Sequence, residues 1–174
     1  MKRALTLKAI AAATLFTACT LPASANTETP AADTQSKAAP ELVTIAEPEF
    51  VREMARGYGS ARVSQDATGD PMVAGKANGL GYSVFFYGCE KKKDCNALQF
   101  HSSFDMGKPV KLSLLNAWNV KKRYVKAELN DKGFAVVHLD YPFMGGVTRD
   151  NMDSVMNLWV MLLDEFATHV GYRK

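Results

Sequence analysis

Between residues 47 and 170 the apolar positions change period several times, and each change marks an element. Phe50, Val51 and Met54 recur at helical spacing behind Pro48, which suits a first helical position, and Glu49 sits in the first turn. The spacing predicts a helix over 47–56, with Gly57 as its stop. Residues 61–68 then read as a strand ending at Gly69-Asp70-Pro71, and 72–76 as a short strand. Asn78-Gly79 is a strong hairpin turn signal. The aromatic-rich run 80–88 reads as a central strand, and in 96–104 Leu98, Phe100 and Ser102 alternate with Ala97, Gln99 and His101.

Helical spacing returns after Pro109, with Val110, Leu114, Ala117 and Trp118. Residues 123–129 and 134–141 form a hairpin across Asn130-Asp131-Lys132-Gly133, where Gly supplies a positive φ. The last helix begins behind Thr148 as N-cap, with Asp150 complementing the dipole and Val147 able to staple onto Met152. Met152, Val155, Met156, Trp159, Leu162, Leu163, Phe166 and Val170 then make a wide apolar stripe. The predicted order is α-β-β-β-β-α-β-β-α. Short turns join every strand neighbour but one pair, so the fold class is α+β, with helices on a mainly antiparallel sheet of five or six strands.

The first 46 residues lack this patterning. Lys2, Arg3 and Lys8 precede the apolar run 9–16, which is far shorter than the roughly 20 residues that span a bilayer. Leu21-Pro22-Ala23-Ser24-Ala25 follows, with small residues at Ala23 and Ala25 as a signal peptidase requires. Residues 1–25 are therefore read as a cleavable export signal, 26–46 as a disordered linker rich in Ala, Thr and Pro, and 47–174 as one domain. This places the mature protein in the periplasm, with no transmembrane span after cleavage. Leu15-Phe16-Thr17-Ala18-Cys19 is a loose lipobox, so a membrane-anchored lipoprotein is the alternative.

Removing the signal changes the charge picture. The whole chain carries a formal +3, and the cations of the first 25 residues, which contain no Asp or Glu, account for all of it. A near-neutral mature chain gives no electrostatic case for nucleic-acid binding.

The compartment also bears on the cysteines. Cys89 and Cys95 follow a C-x5-C spacing, unlike a redox C-x-x-C, and no His lies beside them to complete a zinc site. They are expected to form a disulfide closing a hairpin, with Glu90-Lys91-Lys92-Lys93-Asp94 as its solvated loop.

No cofactor and no catalytic or metal constellation is predicted. His138 and Asp140 share a strand face, but His101 and His169 are distant in sequence, and the pair is read as the solvent side of a strand. His101, Ser102 and Ser103 suggest no triad. Trp118 is read as core and Asn119 as satisfying or capping the helix end, with a groove-lining role as the alternative. Gly145-Gly146 is read as the tight turn before Thr148, with an anion nest as the alternative. In the last helix core packing accounts for most of the stripe, but Val160 and Met161 widen it, so Met152, Met156, Trp159, Met161 and Phe166 are also read as an adaptable partner or dimer surface.

Four segments in order carry a family resemblance. They are Gly81-Tyr82-Ser83-Val84-Phe85-Phe86-Tyr87-Gly88-Cys89, Cys95-Asn96-Ala97-Leu98-Gln99-Phe100, Asn116-Ala117-Trp118-Asn119 and Gly145-Gly146-Val147-Thr148. Together they resemble YbjN-domain proteins over residues 48–170, a family described as bacterial sensory-transduction regulators. The resemblance implies a type III secretion chaperone-like fold, a tendency to dimerise and no transferable catalytic residues. Secretion chaperones tend to be acidic and cytosolic, unlike this neutral, exported domain. The expected function is a non-enzymatic periplasmic binding module, dimeric, holding a peptide or protein partner in envelope regulation. A small-molecule sensor with an apolar pocket between sheet and helices is the second reading.

Overall fold

Residues 39–173 are described by the computed structural model, in the order α1 (Pro48–Arg56), β1 (Ser60–Gln65), β2 (Pro71–Ala77), β3 (Leu80–Tyr87), β4 (Ala97–Phe104), α2 (Leu112–Lys121), β5 (Lys126–Leu129), β6 (Ala135–Pro142) and α3 (Arg149–His169). The order of types is the predicted one. The export signal, the cleavage residues Ala23 and Ala25, Cys19 and most of the linker lie outside the described residues.

The six strands form one sheet, ordered β1-β2-β3-β4-β6-β5, and every pairing is antiparallel. Four strands follow as hairpins. Then α2 carries the chain to the far edge, where β5 lies outermost and β6 returns between β5 and β4. Leu98, Phe100, Ser102 and Phe104 of β4 are buried on one face, together with Tyr82, Val84 and Phe86 of β3. All three helices pack on that face. Trp159 of α3 has its ring 6.0 Å from Tyr82 and 5.6 Å from Phe100. Trp118 of α2 meets Phe166 of α3 at 5.0 Å, and Phe50 of α1 meets Phe143 at 6.4 Å.

Several boundaries differ from the periodicity. β1 stops at Gln65 because Asp66 Oδ1 accepts from Thr68 N, Thr68 Oγ1 and Asp70 N, closing a turn in place of a ladder. β5 starts at Lys126, because Tyr124 at φ 71° breaks the extended run. The domain also begins earlier than residue 47. Val43 exchanges both backbone hydrogen bonds with Val147, Ala46 N donates to Cys95 O, and Ala46 is buried. The last residues assigned to the linker are thus part of the fold.

Cys89 and Cys95 are joined in a disulfide across the β3–β4 hairpin, six residues apart. Inside this loop Lys91, Lys92 and Asp94 all adopt positive φ, a backbone region that costs non-glycine residues energy. Gly88 also has positive φ, and a Cβ there would sit 2.1 Å from Asn96 Oδ1, so only glycine fits. Replacing both cysteines by serine is expected to lower the unfolding free energy by about 2 kcal/mol, the chain entropy of a short loop. Urea unfolding of the variant beside the oxidised protein measures this, and coincident midpoints would contradict it.

Candidate functional site

Two adjoining hollows lie where β4 hands over to α2. Asp105 Oδ1 accepts from Gly107 N at 2.8 Å, and Gly107 at φ 62° turns the chain outward. Pro109 disfavours a helical conformation at Lys108, and α2 begins only at Leu112, so Val110 lies before the helix rather than in it and Lys108-Pro109-Val110 crosses the surface as a strap. On one side of the strap is a cavity of ≈ 530 Å³. Met106, Val110, Leu114, Ala117 and Val170 supply its apolar lining, and Lys108, Lys111 and Ser113 are the polar members. On the other side, a hollow of ≈ 370 Å³ is bounded by the same strap with Asp105, Leu129, Lys132, Gly133 and Phe134.

α2 buries Leu115 and Trp118 and turns Leu112, Ser113, Asn116, Ala117 and Val120 outward. That outer face has no charge, and Leu112 is 62% exposed, Val120 87% and nearby Tyr124 72%. An exposed face without charge is unusual for a surface helix, which normally sets charged and polar residues opposite its apolar stripe. Cations surround it. Lys122 pairs with Glu165 and lies over the Trp118 ring at 5.4 Å, and Lys126 lies 3.8 Å from Glu128. Among the described residues no carboxylate pairs with Lys108, Lys111, Lys121, Arg123 or Lys132.

The structure redistributes the residues singled out in the sequence. Met152, Met156, Trp159 and Phe166 are all 0% exposed, so the expected partner surface on α3 is core. Only Met161, 49% exposed, stands outside it. The stripe is wide because α3 faces the sheet while also touching α1 and packing against Trp118 of α2. Trp159 and Phe166 fill the space where α3 meets the sheet and α2, and the ≈ 530 Å³ cavity lies beside α2. Trp118 is core as read. Asn119 does not cap its helix, however. Its Nδ2 donates to Ala127 O at 2.9 Å and its Oδ1 accepts from Ala127 N at 2.8 Å, fastening the outer edge of β5. Gly145 and Gly146, at φ 83° and 86°, form the turn before α3, and Thr148 Oγ1 accepts from Asn151 N as its cap. A Cβ on Gly146 would meet Leu42 and Thr44 at 3.3 and 3.2 Å, so residues 42–44 lie against that side of the turn, whereas Gly145 faces open space.

The opposite face of the sheet brings together two residues far apart in the chain. His138 lies on the face away from the helices, as the spacing predicts, but it is only 6% exposed and sits directly opposite His101 in the β4–β6 register. The Phe85 ring packs 5.7 Å from His101 edge-on, and Asp140 is taken up by Gln99 Nε2 at 2.7 Å. Among the described residues no group of three or more His, Cys, Asp or Glu could hold a metal ion. Burial first, and then the neighbouring His138, holds the His101 imidazole below its ordinary pKa of 6.5, while Glu128 pulls the other way.

The unfolded state therefore takes up a proton at His101 first as the pH falls, and this part of the stability is lost below about 6.5. His101→Asn is expected to flatten the fall in urea midpoint between pH 7.5 and 5. A variant with the wild-type slope would remove His101 as its source.

The family model named YbjN, described as "Putative bacterial sensory transduction regulator", matches residues 48–171, and the chain belongs to this family. No curated protein matches the chain. Membership of this family suggests a regulatory or binding role, and the family is not a known enzyme family. The matched residues include the strap, both hollows and the whole of α2. The sequence does carry a signal for this site: LSLLNAWNVK has one charge in ten residues, few for a helix with a solvated face.

Proposed function

We propose that this YbjN-family protein is a non-enzymatic, dimeric binding module of the periplasm that holds a peptide or protein partner in the groove beside α2 and takes part in envelope regulation. The observation that carries this reading is the continuity of the ≈ 530 Å³ apolar cavity with the uncharged outer face of α2 through Ser113 and Ala117, which belong to both. Met106, Val110, Leu114 and Val170 offer shape without directional bonds, as suits a segment of a partner chain. No His, Asp or Glu lines this cavity, and its titratable members are Lys108 and Lys111. Exposed Leu112 and Val120 support self-association, and the N-terminal charge and apolar pattern with the Cys89–Cys95 bridge supports export.

The test is a peptide array probed with the protein, followed by fluorescence titration of the binders. Ala117→Arg, an exposed change that fills the groove mouth, is expected to abolish binding, whereas Arg62→Ala on β1 is expected to leave it intact. Equal binding by both variants would remove the groove. Sedimentation showing only monomer at micromolar concentration would remove the dimer.

The cavity volume also falls in the range of small-molecule sites, which favours a sensor as the second reading. A ligand carried through purification and absent from Ala117→Arg would select it.

A further inference from the structure

The two hollows share the strap Lys108-Pro109-Val110, so they form one interrupted trough rather than two separate pits. It runs from the α2–α3 side of the strap to the β5–β6 turn. Its cations are spread along its length. Lys111 borders the first hollow, Lys132 the second, and Lys108 both. Among the described residues none of the three is paired to a carboxylate. The one acid in the lining, Asp105, already accepts from Gly107 N. This concentration of positive charge occurs in a chain that is near neutral once the three N-terminal cations are set aside.

Resting on the groove reading above, we propose that the trough selects an extended acidic segment of a partner protein. Its apolar side chains enter the hollows on either side of the strap, and its carboxylates meet Lys108, Lys111 and Lys132. An extended strand sends alternate side chains to opposite sides, about 6–7 Å apart on each side, so one segment can present both chemistries. A compact ligand would fill one hollow and leave the lysine of the other unmatched. Lysines on an exposed rim contribute more to choice of partner and to association rate than to raw affinity, and their effect is screened by salt.

The experiment uses three fluorescent, blocked octapeptides that alternate leucine with glutamate, with glutamine or with lysine. The glutamate peptide is expected to bind about tenfold more tightly than the glutamine peptide at low salt, with the gap closing at about 0.5 M salt as screening shortens to a few ångström. Lys108→Glu with Lys111→Glu is expected to reverse the order, favouring the lysine peptide. Lys132→Glu alone is expected to weaken the glutamate peptide several-fold, because the segment crosses the strap. All three lysines are exposed, and circular dichroism of each variant confirms that folding is unchanged.

Equal, salt-independent binding of the glutamate and glutamine peptides would overturn the acidic preference and leave the groove standing. Failure of all three peptides to bind would overturn the groove itself. An unchanged response in Lys132→Glu would confine the occupant to one hollow and overturn the extended mode. Self-association that excludes the glutamate peptide would assign the trough to a second copy.

Discussion

Replacing Trp159 by alanine is expected to lower the unfolding free energy by about 3–5 kcal/mol, a large part of the 5–15 kcal/mol that holds a domain of this size folded. The indole is 0% exposed, midway along α3, and lies between Tyr82 of β3 and Phe100 of β4. Its removal leaves a cavity that neither the sheet nor a 21-residue helix can collapse to fill. Among the described residues its Nε1 finds no acceptor, so Trp159→Phe deletes an unsatisfied donor as well as volume and is expected to cost less than half as much. Urea unfolding followed by circular dichroism distinguishes the two variants. A loss below about 1 kcal/mol in the alanine variant would mean that α3 is not seated on the sheet through this residue.

The second large effect is expected at Asn119. β5 is an edge strand, and Ala127 turns the N–H and C=O that do not pair with β6 toward α2. The Asn119 amide supplies one donor and one acceptor, so it completes that edge much as a neighbouring peptide would. Asn119→Leu keeps the approximate volume and removes both partners from a residue that is 5% exposed. The expected cost is about 2–3 kcal/mol, because two buried backbone groups lose their partners together. Hydrogen exchange gives a sharper readout than global stability. The Ala127 amide is expected to lose its protection in the variant, while amides of β3 and β4 change only with the global stability. Retained protection at Ala127 would show that another group satisfies the edge. Since α2 forms one wall of the groove, the same variant is also expected to weaken peptide binding.

These two side chains show how differently the sequence spoke about core and site. Trp159 falls on a stripe of eight apolar positions at helical spacing, and that period alone placed it on a buried face. What period cannot tell is how many neighbours the face meets. Met152, Met156 and Phe166 made the stripe wide enough to suggest a second, outward surface, yet α3 buries the whole width against the sheet and α2. Asn119 was legible as a residue that satisfies backbone groups near a helix end. Its partner lies eight residues on, across a loop whose path is set by Tyr124 at positive φ.

The groove was legible only in part. Pro109 and the scarcity of charge in LSLLNAWNVK are local features, and both were open to reading. Lys108 and Lys132 are far apart along the chain, and they share a hollow because β6 returns between β4 and β5 and brings the β5–β6 turn beside the strap. The same insertion puts His138 opposite His101, a pairing hidden in the sequence by the 36 residues between them.

By itself the amino-acid order determined the elements, their types, the α+β class and the family resemblance, because each rests on side-chain period, turn chemistry or short motifs within a few residues. Only the tertiary structure decided which apolar face is core and which is open, what Asn119 binds, and where the free lysines gather. Those depend on contacts between segments distant in the chain, and on the order of strands that the β4–α2–β5 connection produces, which local periodicity does not encode.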